Sequence, residues 1–266
     1  MNNGYPNDVD EIQRQQAAAV HREGSPAPVR PRPVAPAWHT ILLIAVLGGF
    51  AGLQELPGVA QRAAAQQPNR VLTYIVTIAF ELFLVGYVWL LGLRLRKVPV
   101  REIIGGRWAR FSDFLMDLAV ALLFWIAAAA IIAGISLALR FNAAEAAKEL
   151  LPQTRTELIM WPGLAVIAGF CVEFVFRGYF QRQFLAWTGS VAASVILQAA
   201  VFGIAHMYQG GKGVLVITIY GALFGILAAI RKSLRPGMIQ HAGQDTISGI
   251  AGHFLTKFHY LQMLRF

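Results

Sequence analysis

Charge is scarce in this chain. Only 14% of its residues are Asp, Glu, Lys or Arg, against about 25% in soluble domains. With 56% of residues hydrophobic and a mean hydropathy of +0.54, 266 residues cannot hide their apolar surface from water. An ordinary soluble domain is excluded, and the chain reads as a polytopic membrane protein. Acidic residues are the scarcer sign, 14 against 23 Lys and Arg, for a net charge of +9. In a membrane chain such an excess reports the orientation of loops rather than a nucleic-acid partner, and no nucleic acid is expected. Cysteine is nearly absent. The single Cys171 excludes an internal disulfide, and its apolar surroundings favour a packed thiol over a nucleophile. There is no glycine-rich phosphate loop, no CxxC pair and no HExxH, which argues against nucleotide binding and the common zinc folds.

Residues 1–37 are polar and carry Pro26, Pro28, Pro31, Pro33 and Pro36. That spacing favours extended backbone and builds no core, so a disordered tail is expected. It does not read as a signal peptide, because the apolar run starts late and is long. Seven apolar stretches follow, near 38–56, 71–93, 112–139, 157–187, 189–209, 213–231 and 236–255. A spanning helix needs about 20 residues, so all seven qualify. The expected fold is an all-α transmembrane bundle of about seven spans, with N-terminal helices over 38–156, motif-bearing helices over 157–255 and a short tail at 256–266. Trp38, Trp89, Trp108, Trp161 and Trp187 fall near stretch ends, as interfacial anchors do, whereas Trp125 reads as packing. Arg94, Arg96, Lys97, Arg101, Arg107 and Arg110 share one side with Arg177, Arg182, Arg231, Lys232 and Arg235. That side is expected to be cytoplasmic, with the N-terminus on it.

Ionisable residues at membrane depth are costly and mark function by default. Here they gather in the second half. Glu173 and Arg177 are four residues apart, so they lie on one helical face and can pair. Phe202 lies one turn before His206. His241, Gln244, Asp245 and Ser248 form one polar stripe on an otherwise apolar helix. Taken singly, each has a plain structural reading as an ion pair, a core histidine or a hydrogen-bonded seam between helices. Glu81, in the middle of the second stretch, suits a pairing with Arg177 or with one of the histidines. Asp113 and Asp117 sit at a helix start, where the helix dipole accounts for them. If the fourth and fifth stretches turn near Trp187–Gly189, Glu173 lies about 21 Å and His206 about 25 Å from the turn, at similar depth. His241 is shallower. A carboxylate that takes a proton from water, with histidines to assist, can hydrolyse an amide without a metal or a nucleophilic serine. The same ligands could instead hold zinc, and spacing does not choose.

At these residues the chain resembles the type II CAAX prenyl endopeptidases, the CPBP or Abi family of intramembrane proteases. That family carries Glu-Glu-x-x-x-Arg, Phe-x-x-x-His and His-x-x-x-Asn or Asp on successive helices. The second motif matches Phe202 to His206 and the third His241 to Asp245. The first reads Val172-Glu173-Phe174-Val175-Phe176-Arg177. The resemblance implies a helical cavity and endoproteolysis of a peptide or protein substrate, lipidated or not, within the lipid of a membrane. It assigns Glu173, Arg177, His206, His241 and Asp245 to the catalytic site. Its first glutamate activates the water, the first histidine assists, and the last motif supports the oxyanion. No cofactor is expected, zinc being the less favoured reading. A bacterial cytoplasmic membrane is the expected location.

Val172 departs from the motif where the water-activating glutamate is expected. Valine accepts no proton, and Glu173 is turned about 100° from it. Three explanations stand: an inactive member, a base supplied by Glu173 or Glu81, or a substitution peculiar to this sequence. The leading functional reading is an endopeptidase impaired to some degree by Val172. The alternatives are a non-enzymatic scaffold or immunity protein and, against the lack of any internal repeat, a proton-coupled carrier.

Overall fold

The computed structural model describes residues 31–56, 69–142 and 150–263, with side chains as far as 255. The expected tail before residue 31 lies outside the described residues. Among the described residues every regular element is helical. In chain order these are α1 (Ala37–Gln54), α2 (Arg70–Tyr87), α3 (Val100–Ile104), α4 (Phe111–Leu139), α5 (Arg155–Glu173), α6 (Gln181–Thr188), α7 (Val191–Ile204), α8 (Gly210–Arg231) and α9 (Arg235–Met263). π-Helical segments prolong α2 over Val88–Leu93 and α5 over Phe174–Phe180. A 3-10 turn, Met207–Gln209, precedes α8.

Five helical stretches are long and apolar enough to cross a membrane: Ala37–Gln54, Arg70–Leu93, Phe111–Leu139, Arg155–Thr188 and Met207–Arg231. Their outer faces stay apolar, with Leu123, Ile126, Leu137, Ile159 and Ile230 each 68% to 82% exposed. A surface of that kind calls for lipid rather than water, and the chain is an integral membrane protein. Two of the seven expected stretches differ from the five. α7 has 14 residues, about 21 Å at 1.5 Å each, which is short of a hydrocarbon core of about 30 Å. It ends at Ile204, before His206, because the chain turns there into the 3-10 segment and reverses at Gly210. α9 is 29 residues long but carries the polar stripe that dilutes its apolarity, and it runs on to Met263, into the stretch read as a tail.

Local sequence explains the helix starts. Glu157 N–H donates to Thr154 Oγ1 at 3.3 Å, while Glu157 Oε2 accepts from the backbone N–H groups of Gln153 and Thr154 at 2.7 and 3.1 Å, a reciprocal cap for α5. Asp113 Oδ2 accepts from the backbone N–H groups of Ala109 and Arg110 at the start of α4, both at 3.0 Å. Gly189, at φ 69°, closes α6 and turns the chain into α7 where the hairpin was expected.

The core centres on the π-helical segment after Glu173, in which every residue from Phe174 to Phe180 is buried. Phe174, Phe176, Tyr179 and Phe180 pack with Leu43, Leu84, Val88 and Phe202. α1 and the residues just before it are latched to this segment and to α6 by buried polar groups. Tyr179 Oη lies 2.6 Å from His39 Nδ1 and 2.8 Å from Thr40 Oγ1, and Gln183 Oε1 accepts from the N–H groups of Val34 and Ala35.

α5 and α9 meet closely. A side chain at Gly169 would stand 2.6 Å from Ala242 N, so only glycine lets the backbones come this near. Trp161 seals the same seam. It is 8% exposed and donates from Nε1 to Asp245 O at 2.7 Å. This corrects its reading as an interfacial anchor, since its N–H is used inside the bundle. Trp38, Trp89, Trp108 and Trp187 are exposed, and Cys171 is a buried free thiol.

Candidate active site

Glu173 closes α5 and is 1% exposed. Its Oε1 lies 3.0 Å from Arg177 Nη1 and 3.1 Å from His241 Nδ1. The expected i, i+4 pair is therefore present, and α9 joins it. Gly237 stands beside the other carboxylate oxygen, where a Cβ would be 3.1 Å from Oε2. The far nitrogen of His241 lies 3.5 Å from Asp245 Oδ2. Carboxylates thus stand on both sides of the ring, Glu173 within hydrogen-bond distance and Asp245 farther off. His241 was read as shallower than Glu173. The close seam at Gly169 and Gly237 brings the two into contact.

Arg177 is almost wholly buried. Nη2 donates to Gly221 O at 3.2 Å, and the guanidinium lies over the rings of Phe202 and Phe224 at 4.6 and 4.9 Å. The π-helical segment that carries Arg177 is rare geometry of a kind that collects at functional sites. Phe202 serves two neighbours. Its ring faces Arg177, and its carbonyl lies 2.8 Å from His206 Nδ1. A carbonyl oxygen only accepts, so that contact assigns a proton to Nδ1. His206 sits in the turn after α7, edge-on to Phe202 at 4.6 Å and half-buried. It lies within electrostatic range of His241 and Arg177, and no hydrogen bond joins it to Glu173 among the described residues.

The structure brings Glu173, Arg177, His241 and Asp245 into one connected chain of contacts and sets His206 beside it. The stripe divides. His241 and Asp245 face the pair, Gln244 turns to α8, and Ser248 is exposed. Val172 is partly buried against the apolar core. Among the described residues Glu81 forms no hydrogen bond through its buried Oε2, and it lies within electrostatic range of His241 and Asp245. Among the described residues no three His, Cys, Asp or Glu side chains converge as metal ligands.

Some polar groups were missed. Gln198 Nε2 donates to Gly221 O at 2.9 Å, beside Arg177. Gln240 Nε2 donates to Gln244 Oε1 at 2.7 Å and to Tyr220 Oη at 3.1 Å, and Tyr220 also donates to Gln244. The signal was available, since Gln240 stands four residues before Gln244 and Gln198 is isolated in an apolar run. Asp117 was also undervalued. It is 1% exposed, with Oδ1 3.1 Å from Arg231 Nη2 and Oδ2 3.1 Å from Arg235 Nε, and it accepts from Trp108 Nε1 at 2.8 Å.

Fold and site define a helical integral membrane protein with a buried carboxylate, arginine and histidine cluster between its helices. Residues 154–247, about a third of the chain, match the model of the Rce1-like family, described as type II CAAX prenyl endopeptidase Rce1-like. The match is to the same family that the three motifs resemble, and it runs from the start of α5 through His241 and Asp245 of α9. No curated protein and no solved structure matches the chain.

Proposed function

We propose that the chain is an intramembrane endopeptidase in which a carboxylate-activated water attacks a peptide bond of a membrane-associated peptide or protein, lipidated or not. The observation that supports this most is the meeting of the first and third motifs at one atom, Glu173 Oε1, between Arg177 and His241. Such a buried charged cluster is expensive in a membrane protein and goes with a task. Arg177 and Glu173 brace the site, His206 assists proton movement through Nε2, and the His241–Asp245 pair meets the developing oxyanion. No metal is needed in this scheme. The guanidinium 3.0 Å from Glu173 also repels a cation there. The basic ends of the helices are cytoplasmic, with the N-terminus on that side, in a bacterial cytoplasmic membrane. α7 and α9 complete a seven-stretch bundle.

One observation favours a second reading. Val172 packs against the apolar core where the resemblance expects the water-activating glutamate, which suits a non-enzymatic scaffold or immunity protein. Purified protein in detergent, incubated with pooled peptides that include prenylated ends and read by mass spectrometry, separates the two. Cleavage by the wild type that disappears in His206→Ala supports the endopeptidase. Cleavage only by Val172→Glu means a protease cavity switched off, and the scaffold reading takes over.

A further inference from the structure

The endopeptidase reading, on which this inference rests, lacks a base. Val172 takes no proton, and Glu173 commits Oε1 to Arg177 and His241. The site needs another carboxylate on the wall where Val172 stands.

Helix geometry supplies one from α2. Trp161 and Val172 are about three turns apart on α5, so they share a face. Trp161 meets Tyr74 of α2 edge to face, ring centroids 5.6 Å apart, so that face looks at α2. On α2, Tyr74 and Glu81 are about two turns apart and share the face turned to α5. Leu84 and Phe174 join one core cluster further along, so the two helices run side by side in the same direction. From the Tyr74–Trp161 contact, Glu81 lies roughly 10 Å along α2 and Val172 roughly 16 Å along α5. The two positions then differ by about 6 Å in height along the paired helices.

The state of Glu81 agrees. Its Oε2 is buried and has no hydrogen-bond partner among the described residues, whereas buried polar atoms in proteins are nearly always bonded. It lies in electrostatic range of Cys171, next to Val172, and of His241 and Asp245 across the site. An idle carboxylate in a membrane span costs stability with no return.

We infer that Glu81 is the catalytic base of this site, supplied from α2 in place of the carboxylate missing at Val172. Glu81 takes a proton from water as the water oxygen bonds to the peptide carbonyl carbon. The C–N bond then breaks as that proton passes to the leaving nitrogen. The products are a carboxylic acid and an amine, and Glu81 is again ionised.

The test uses the full chain in detergent and the same peptide pool, with initial rates by mass spectrometry. Glu81→Gln is expected to lower kcat by about 10²- to 10⁴-fold, with KM within about threefold and the thermal unfolding midpoint kept. Adding Val172→Glu to Glu81→Gln is expected to restore at least about tenfold, because a carboxylate returns to the same wall, a recovery that a purely structural Glu81 does not give. Should Glu81→Gln fold poorly, Glu81→Asp keeps the acid, and its kcat is expected to fall between wild type and Glu81→Gln. Wild-type rates in Glu81→Gln, with His241→Ala inactive, overturn the inference and leave the endopeptidase reading standing. No cleavage by the wild type overturns both.

Discussion

Glu173 and His241, 68 residues apart, meet through Oε1 and Nδ1 at 3.1 Å, and the same oxygen faces Arg177 at 3.0 Å. One atom therefore ties α5, its π-helical continuation and α9. Because Glu173 and Arg177 are both out of contact with solvent, the pair is held by its geometry rather than by water. Removing one partner leaves the other charged and uncompensated.

Glu173→Gln is accordingly expected to destabilise the folded protein by about 3–5 kcal/mol, the usual result of orphaning one member of a buried pair. Glu173→Gln combined with Arg177→Met is expected to be more stable than Glu173→Gln alone, because the orphaned guanidinium is gone. Thermal unfolding of both variants in detergent measures this. A single variant as stable as the wild type contradicts a bracing role.

The seam between α5 and α9 gives a prediction with an internal control. Gly169 has Ala242 N 2.6 Å from where its Cβ would be, while Gly163, on the same helix, has nothing within 4 Å among the described residues. Gly169→Ala is expected to push the helices apart, lower the unfolding midpoint and loosen the His241–Glu173 contact. Gly163→Ala is expected to be neutral or to stabilise by up to about 1 kcal/mol through helix propensity. Equal effects at the two positions contradict the close-packed seam.

Periodicity made part of this site legible. Glu173 and Arg177 sit one turn apart, as do His241 and Asp245, and both relations survive in the fold. Depth counting placed Glu173 and His206 level, and they serve the same cluster through Phe202. The contact between Glu173 and His241 was not legible, because it depends on how closely two helices pack, and that is set by Gly169 and Gly237. The early end of α7 was missed for a related reason. An apolar run of about 20 residues reads as a span even where the backbone turns inside it, and here it turns just before His206. Trp161 looks like an anchor by position alone, whereas its indole N–H finds Asp245 O only once α5 and α9 have met.

Chelation tests the proposal that the chemistry needs no metal. Arg177 already occupies the counter-charge position at Glu173, so a divalent cation has to compete with a fixed guanidinium. Peptide cleavage is expected to stay within about twofold after dialysis against EDTA, and added zinc is expected not to raise it. Activity lost to EDTA and restored by zinc alone contradicts the assignment of the chemistry to the side chains.

Asp113 and Asp117 look alike in sequence, two acids in the opening turns of α4, but the fold gives them different work. Asp113 caps backbone N–H groups of Ala109 and Arg110. Asp117 is buried and gathers Arg231, Arg235 and Trp108, so it joins α4 to the residues that link α8 and α9. Asp117→Asn removes the charge that holds two arginines. It is expected to cost about 1–3 kcal/mol, toward the lower end because Arg231 keeps some contact with water. Asp113→Asn is expected to cost less than about 1 kcal/mol, since an amide oxygen still accepts from those backbone N–H groups. Since Arg235 begins α9, loosening it also loosens the helix that carries His241. Asp117→Asn is therefore expected to lower peptide cleavage as well as the unfolding midpoint, while Asp113→Asn changes neither by much. Equal, small effects of the two substitutions in thermal unfolding contradict a clamp at Asp117.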